Sequence, residues 1–438
     1  MNKLFLFTTL LVATTAGVSA QPVAKKYEIR ALPTFCDPAR PDDESKCGRS
    51  TYAYAMNNNG VVVGFSQSPL VVDVNDLDDD EDTAEEIRPF KHHGFRWQSD
   101  SLSLLDMGDL GHGESQAFAI NDHGVAVGRA NFVITGGGDD NQTVQYRAFI
   151  SDSSNTMTVV SSPAQTTRLS SATGISDDGH VVGYAEAQAV SGNDTFYTRG
   201  WIKFPGVDTP TLIPSLQSDS ASVLRAVNST ANATVGYAIK DGVQRSIKVV
   251  LSSPTTLIEL PDLGGSASIA NAINNDGVVV GGSQVVGDAH SEGYIYDPSA
   301  SPSVRSIGLL NDEFGFSLAN DINNEGLIVG TAVAGLRPTL YHAVAFDSAD
   351  SAAELIDLNS RIDCASDLAD RWTLTDAYAV NDSGQIIGFG AQGSVAKAFI
   401  LTPLGDDAAA PIPCASIDDG FENQSGGGAF MLPFLPLL

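Results

Sequence analysis

The densest chemistry in the sequence is the run VVDVNDLDDDEDTAEE at positions 71–86. Clustered carboxylates suit a hard cation, and calcium takes roughly six to eight oxygen ligands. Asp73, Asp76, Asp78, Asp80 and Asp82 are the candidate ligands. Their spacing departs from that of a twelve-residue calcium loop. Counted from Asp76, the sixth position is Glu81 where such a loop needs glycine, and the twelfth is Ile87 where it needs glutamate. A solvated acidic loop accounts for the same residues more simply. A second set is basic: His93, Arg147, Arg199, Arg245, His342 and Lys397 recur at one place in successive segments. Facing a cavity, such a row would read an anionic ligand. On the polar side of a strand it would bond its own sheet or a neighbouring turn, which is the commoner arrangement. HExxH, GxSxG and a phosphate-cradling glycine loop do not occur. His112, His123, His180 and His290 are scattered, so a catalytic site would have to assemble from several loops.

The frame that would position these groups is a repeat. AINNDGVVVG at 272–281 has near-copies ending at Gly64, Gly128, Gly183, Gly236, Gly330 and Gly388, and consecutive closing glycines lie 45–64 residues apart. That period belongs to propeller and solenoid units. Each copy is a hairpin in miniature: an apolar strand, Asn and a polar pair, Gly, then a β-branched run. Asn hydrogen-bonds its own backbone in a turn, and glycine accepts positive φ. The expected turn residues are Asn57 with Gly60, Asn121 with Gly124, and Gly179 in the third copy. The later copies supply Asn274 with Gly277, Asn323 with Gly326, and Asn381 with Gly384. The copy at 226–236 has one extra residue and no turn glycine, which predicts a bulge or a looser turn. These turns resemble the calcium loops of integrin-type propellers, but those need alternating aspartates. Val or Leu follows the turn glycine in four copies here and His or Gln in two, so the turn side chains are expected to satisfy backbone groups.

Further strands follow each hairpin. In the fifth unit VVVGGSQV, EGYIYD and VRSIGLL succeed AIN. Four short strands per unit, separated by Gly, Pro, Asp and Ser turns, predict an all-β, seven-bladed β-propeller of four-stranded blades. The last unit supplies only YAVN, QIIGFG and KAFIL. The isolated strand at 27–32, YEIRAL, is expected to complete it by pairing beside 397–401, which removes two exposed edges. Ala53, Ala55, Ala117, Ala119, Ala270 and Ala272, with Ala377 and Ala379, are expected to put small side chains where blades crowd the axis. The connection between second and third strands is long in the first three units, and that face is the expected binding surface.

The chain reads as a signal peptide over 1–20, a propeller over 21–405, a polar linker over 406–428 and a short apolar tail over 429–438. Lys3, an apolar core and Val18-Ser19-Ala20 form the export signal. Export places the protein outside the cell, on its surface or in the periplasm. The tail is too short to cross a membrane as an ordinary helix, so membrane association could come only through it. With 24 basic and 53 acidic residues the formal net charge is −29, which opposes nucleic acid and anionic lipid. Cys36, Cys47, Cys364 and Cys414 are an even number, so disulfides are expected in an exported chain. Sequence allows three pairings; Cys36–Cys47 and Cys364–Cys414 are favoured.

The AxxINxxGxxVG motif, followed by a strand with a small residue and an aromatic, resembles the extracellular HAF-repeat family over residues 50–405. The eponymous triplet appears as His93-Gly94-Phe95, Arg147-Ala148-Phe149, Arg199-Gly200-Trp201 and Lys397-Ala398-Phe399. The resemblance implies an exported propeller and supplies no catalytic residues. The tail from Ser425 also resembles a GlyGly-type sorting signal, without its basic end. The expectation is therefore an exported, monomeric binding module for a protein or glycan, with no cofactor beyond candidate calcium. A hydrolase or lyase at the channel mouth and a structural envelope protein are the alternatives.

Overall fold

In the computed structural model residues 23–412 are described, apart from 37–47, 68–90, 136–141, 189–195 and scattered single or paired positions. Seven four-stranded antiparallel sheets form a seven-bladed β-propeller. Within each of the first six blades the strands run in chain order from the axis outwards. The seventh takes Trp372–Val380, Ile386–Gln392 and Val395–Pro403 from the C-terminal part and its outer strand, Tyr27–Ala31, from the N-terminal part. Tyr27 pairs with Pro403 and Ala31 with Phe399, so the expected closure by the N-terminal strand is observed. Tyr27 is fully buried in the last interface, and Leu32 N donates to Ala398 O at 3.0 Å.

The core is seven separate apolar clusters, one between each pair of neighbouring blades. The degenerate triplet explains their shape. Its aromatic residue, Phe95, Phe149, Trp201 or Phe399, is buried between blades, and full burial of such a side chain contributes about 1.5–3 kcal/mol. Its small residue lets the next blade's inner strand approach closely. There the Gly94 N–H donates to Ser115 Oγ at 2.9 Å, and Ala148 repeats the bond to Ser170 at 3.0 Å. Gly200 to Ser222, Ser246 to Ser268 and Gly293 to Ser317 follow at 2.9–3.1 Å.

The closing glycine of every copy also has one cause. Gly64 pairs opposite Ala53, Gly128 opposite Ala117, Gly281 opposite Ala270 and Gly388 opposite Ala377. Immediately after each alanine the inner strand carries a β-bulge. A Cβ at Gly281 would lie 1.9 Å from Ile269 O, and one at Gly64 would lie 1.8 Å from Tyr52 O. The glycine is there for this close approach of backbone, not for a positive φ.

The turns behave as their sequence predicts. Gly60, Gly124, Gly179, Gly277, Gly326 and Gly384 all have φ between 75° and 90°. In the fourth copy the turn is longer, and Asn232, at φ 48°, occupies the left-handed position that glycine takes elsewhere. The turn asparagines are buried and join neighbouring blades. Asn323 Oδ1 accepts from Glu325 N and Leu327 N at 3.1 and 2.8 Å, while its Nδ2 donates to Asn381 O at 3.0 Å. Asn381 reaches Asn57 O, Asn57 reaches Asn121 O, and Asn121 reaches Ser176 O. Ser176 has no amide to continue this ring, and Asn228 instead donates to Asn275 Oδ1 at 2.9 Å.

Candidate functional site

In the repeat motif of each blade the inner-strand bulge inserts one residue that has no cross-strand partner, and a bulge re-aims the side chain it inserts. The inserted residues are Tyr54, Phe118, Thr173 and Arg225 in blades one to four, and Asn271, Asn320 and Tyr378 in blades five to seven. All seven line one cavity of about 630 Å³ on the propeller axis. The alanines flanking them pack into the blade interfaces, so the same short motif builds core with one residue and channel with the next.

The channel is two-sided. Around blades seven, one and two it is aromatic: Tyr54 lies 5.6 Å from both Phe118 and Tyr378, centroid to centroid. Tyr52 stacks at 4.9 Å on Phe65 and on Phe389 behind them. Burial pushes the Tyr54 and Tyr378 hydroxyls well above the usual phenol range, so both stay protonated donors. The opposite side is mixed, with Val223, Ile269, Phe316 and Leu318 beside its polar side chains. Arg225 Nη1 donates to Asn271 Oδ1 at 2.9 Å, and Asn271 Nδ2 to Ala319 O at 2.8 Å. Asn320 Nδ2 donates to Ala377 O at 2.9 Å, and Thr173 Oγ1 to Leu224 O at 2.7 Å. These bonds fix the side chains from blade to blade. Arg225 is half-buried, its guanidinium 5.9 Å from the Tyr237 ring centroid, and burial pulls its pKa down. Among the described residues that line the cavity, Arg225 is the one charged side chain.

Two buried carboxylates stand just outside the channel: Asp376 beside Tyr378, its pKa raised by burial, and Asp321. Asp321 follows the bulge of blade six, where other blades have Ala55, Ala119, Ala272 or Ala379. Its Oδ2 accepts from Val380 N at 2.9 Å. Burial raises its pKa to about 6, against the pull of that hydrogen bond.

The residues singled out in the sequence fall elsewhere. Asp73, Asp76, Asp78, Asp80 and Asp82 lie outside the described residues, as do Cys47, Cys414 and His112. Among the described residues no group of three or more His, Cys, Asp or Glu side chains is placed to hold a metal ion. The basic row bonds its own blade or the neighbouring one. His93 Nδ1 meets Asp106 at 2.9 Å, a hydrogen bond that raises the imidazole pKa, and His342 meets Asp357 at 2.7 Å. Arg147 reaches Ser162, Arg199 reaches Ile213 O, Arg245 reaches Gly265 O and Lys397 reaches Gln392. The channel residues went unnoticed in the sequence, although the signal was present. They are the variable residue between the two small ones, as in Ala53-Tyr54-Ala55, Ala117-Phe118-Ala119 and Ala377-Tyr378-Ala379.

The fold and site define a seven-bladed propeller with a lined axial channel. A family model described as a protein of unknown function, DUF3466, matches residues 66–313, more than half of the chain, and the chain belongs to that family. No protein of curated function matches it by sequence. Among solved structures it is similar to a protein of unknown function from Dyadobacter fermentans, at 11% identity over 88% of this chain and 100% of that one, with a TM-score of 0.40. It is also similar to an oligogalacturonate lyase in complex with manganese, at 10% identity over 86% and 98% of the two chains, with a TM-score of 0.45. A third is the dipeptidyl peptidase 4 of Porphyromonas gingivalis, at 10% identity over 90% and 61%, with a TM-score of 0.42. None of these likenesses speaks to activity.

Proposed function

We propose that the protein is an exported binding module whose ligand enters the axial channel. The carrying observation is the convergence of the seven motif-bulge residues, one from each blade, on one cavity. Its volume of about 630 Å³ falls within the roughly 300–1,000 Å³ usual for small-ligand sites. The lining is suited to holding a ligand more than to turning one over. Its described members include hydroxyl, amide and aromatic groups and one guanidinium, but no carboxylate, imidazole or thiol that could move a proton near neutral pH. The export signal, the HAF-repeat likeness and candidate calcium at the acidic loop remain parts of this reading that rest on sequence. So do the two disulfides. For these, the hydrogen bond from Gly48 N to Phe35 O and that from Cys364 N to Ile412 O are supporting observations, since they bring the chain beside each proposed partner.

The test fills the channel. Ser291 lines the cavity at the edge of blade five, and Ser291→Trp places an indole in its mouth. In a ligand panel read by calorimetry and thermal shift, compounds that bind the wild type should lose at least tenfold in affinity for this variant. Its circular dichroism and melting temperature should stay close to those of the wild type. If such compounds bind the folded variant unchanged, the site lies elsewhere, with the long-loop face at 71–86 the next surface to delete.

A further inference from the structure

We infer that the channel receives a protein partner: a loop or chain end whose apolar tip enters the cavity and whose flanks carry lysine and arginine. The inference rests on the channel being the ligand site and adds the kind of partner. The direction of entry comes first. Ser317 and Leu318, which begin an inner strand, line the cavity, as do Gln244, Gln284 and Ser291 beside the hairpins that join second to third strands. At the other end of the inner strands the buried turn asparagines bond from blade to blade. The cavity therefore opens on the hairpin side.

Apolar surface sets the second constraint, and it continues past the cavity. Inside, Val223, Ile269, Phe316 and Leu318 join Tyr54, Phe118 and Tyr378. Several polar side chains of the lining are already committed within the protein: Arg225 to Asn271, Asn320 to Ala377 O, and Gln284, whose Oε1 accepts from Ser266 Oγ at 2.5 Å. Outside, the Tyr341 ring meets Phe316 edge-on at 6.0 Å, centroid to centroid. Tyr341 is 42% exposed and its neighbour Leu340 41%. On the hairpin of the blade before, Val286 is 78% exposed. Its turn is held by Val285 N donating to His290 O at 3.1 Å, and the His290 ring lies against Gly315, next to Phe316. A small molecule filling the cavity would leave Val286, Leu340 and Tyr341 in water, since none of them lines it. A polypeptide covers both, and contiguous apolar surface at a polar rim is characteristic of protein docking.

Charge sets the flanks. The chain carries a formal net charge of −29. On the hairpins and the crossover at this end of blades four and five, Asp241, Asp288 and Asp312 are exposed. The bases beside them are engaged, Lys240 with Glu259 at 2.8 Å and Arg245 with Gly265 O at 3.3 Å. Lysine and arginine next to the apolar tip are drawn to such a rim, and an acidic segment is repelled.

The experiment selects a display library of random peptides, each about a dozen residues long, on the full chain, and measures the enriched peptides by calorimetry. They should carry one apolar cluster between basic residues and bind more weakly as salt rises. Tyr341→Ala and Val286→Glu should each weaken them about tenfold or more, as expected when an interface anchor is lost. Both side chains are exposed, so both variants should keep the wild-type melting temperature. Val286→Glu adds a charge that would strengthen a purely electrostatic attachment, so weakening by this variant reports the apolar contact. Ser291→Trp should weaken the peptides too. Peptides weakened by the rim variants but not by Ser291→Trp would overturn entry into the channel. Binding unchanged in the rim variants, or enriched peptides without basic flanks, would overturn the partner inference while leaving the channel as the site, provided Ser291→Trp still blocks. A selection that enriches nothing would overturn the partner inference. Self-association of the wild type that Val286→Glu abolishes would make a second copy of the chain the occupant and overturn the basic partner.

Discussion

Asp321→Asn should remove one pH-sensitive group from the last blade interface between about pH 4 and 8. In the wild type the carboxyl is buried beside Val380 N, and its pKa stands at about 6. The unfolded value is near 3.9. Raising an acid's pKa in the folded state means that the folded protein binds the extra proton. Stability from this group is therefore complete below the unfolded pKa, falls as pH rises towards 6 and stays lowered above it. A shift of about two units corresponds to about 3 kcal/mol. Unfolding entropy of about 2 cal/mol/K per residue, over a folded region of this size, makes that about 3–4 °C in melting temperature. Asparagine keeps an oxygen to accept from Val380 N and cannot ionise. The quantity to measure is the difference in melting temperature between variant and wild type, at pH 4 and again at pH 8. Other carboxylates titrate in both proteins and cancel in this comparison. The difference should move in favour of the variant by about 3–4 °C on going to pH 8. Parallel profiles would show that the Asp321 carboxyl ionises without penalty, and the account of its burial would be wrong.

Four other outcomes follow from the frame. Gly281→Ala places a Cβ 1.9 Å from Ile269 O, so it should cost about 3 kcal/mol or more and be visible as a lost or strongly lowered denaturation midpoint. Asn323→Ala removes two turn bonds and one link to the next blade and should cost about 2–4 kcal/mol in urea unfolding. A chain lacking residues 23–32 leaves Val395–Pro403 as a bare edge, and light scattering should show self-association that the full chain does not. Thiol titration of the unreduced, denatured protein should find no free cysteine, and peptide mapping should return Cys36–Cys47 and Cys364–Cys414; any other linkage would refute the pairing.

Blade number, strand order and the closing strand were legible because each follows from a periodic signal that needs no tertiary context. Asn, Gly and β-branched runs report local backbone needs, and Tyr27–Ala31 was identifiable because the last unit lacked a strand. The basic row was also legible in outline, since His93 and His342 find carboxylates in their own blades. Arg225 was not. As one charged residue in the copy that departs most from the motif, it reads in sequence like any surface arginine. Its position depends on a bulge set beside Gly236, eleven residues later, whose missing side chain leaves room for Val223 O. That is a fact of register, invisible until the strands are paired.

The same register explains how one frame could carry varied chemistry on its axis. The residue before the bulge is committed to the interface, as the full burial of Ala53, Ala117, Ala270 and Ala377 shows. The next residue has no cross-strand partner and takes little part in that interface, so its identity is set by the channel rather than by folding. Aromatic, amide, hydroxyl and guanidinium side chains all occupy it here without altering the blade geometry. Repeated motif and variable chemistry are thus neighbours in sequence for a physical reason. The alanine and glycine hold the strands close enough to force the bulge, and the bulge then turns the next side chain towards the axis.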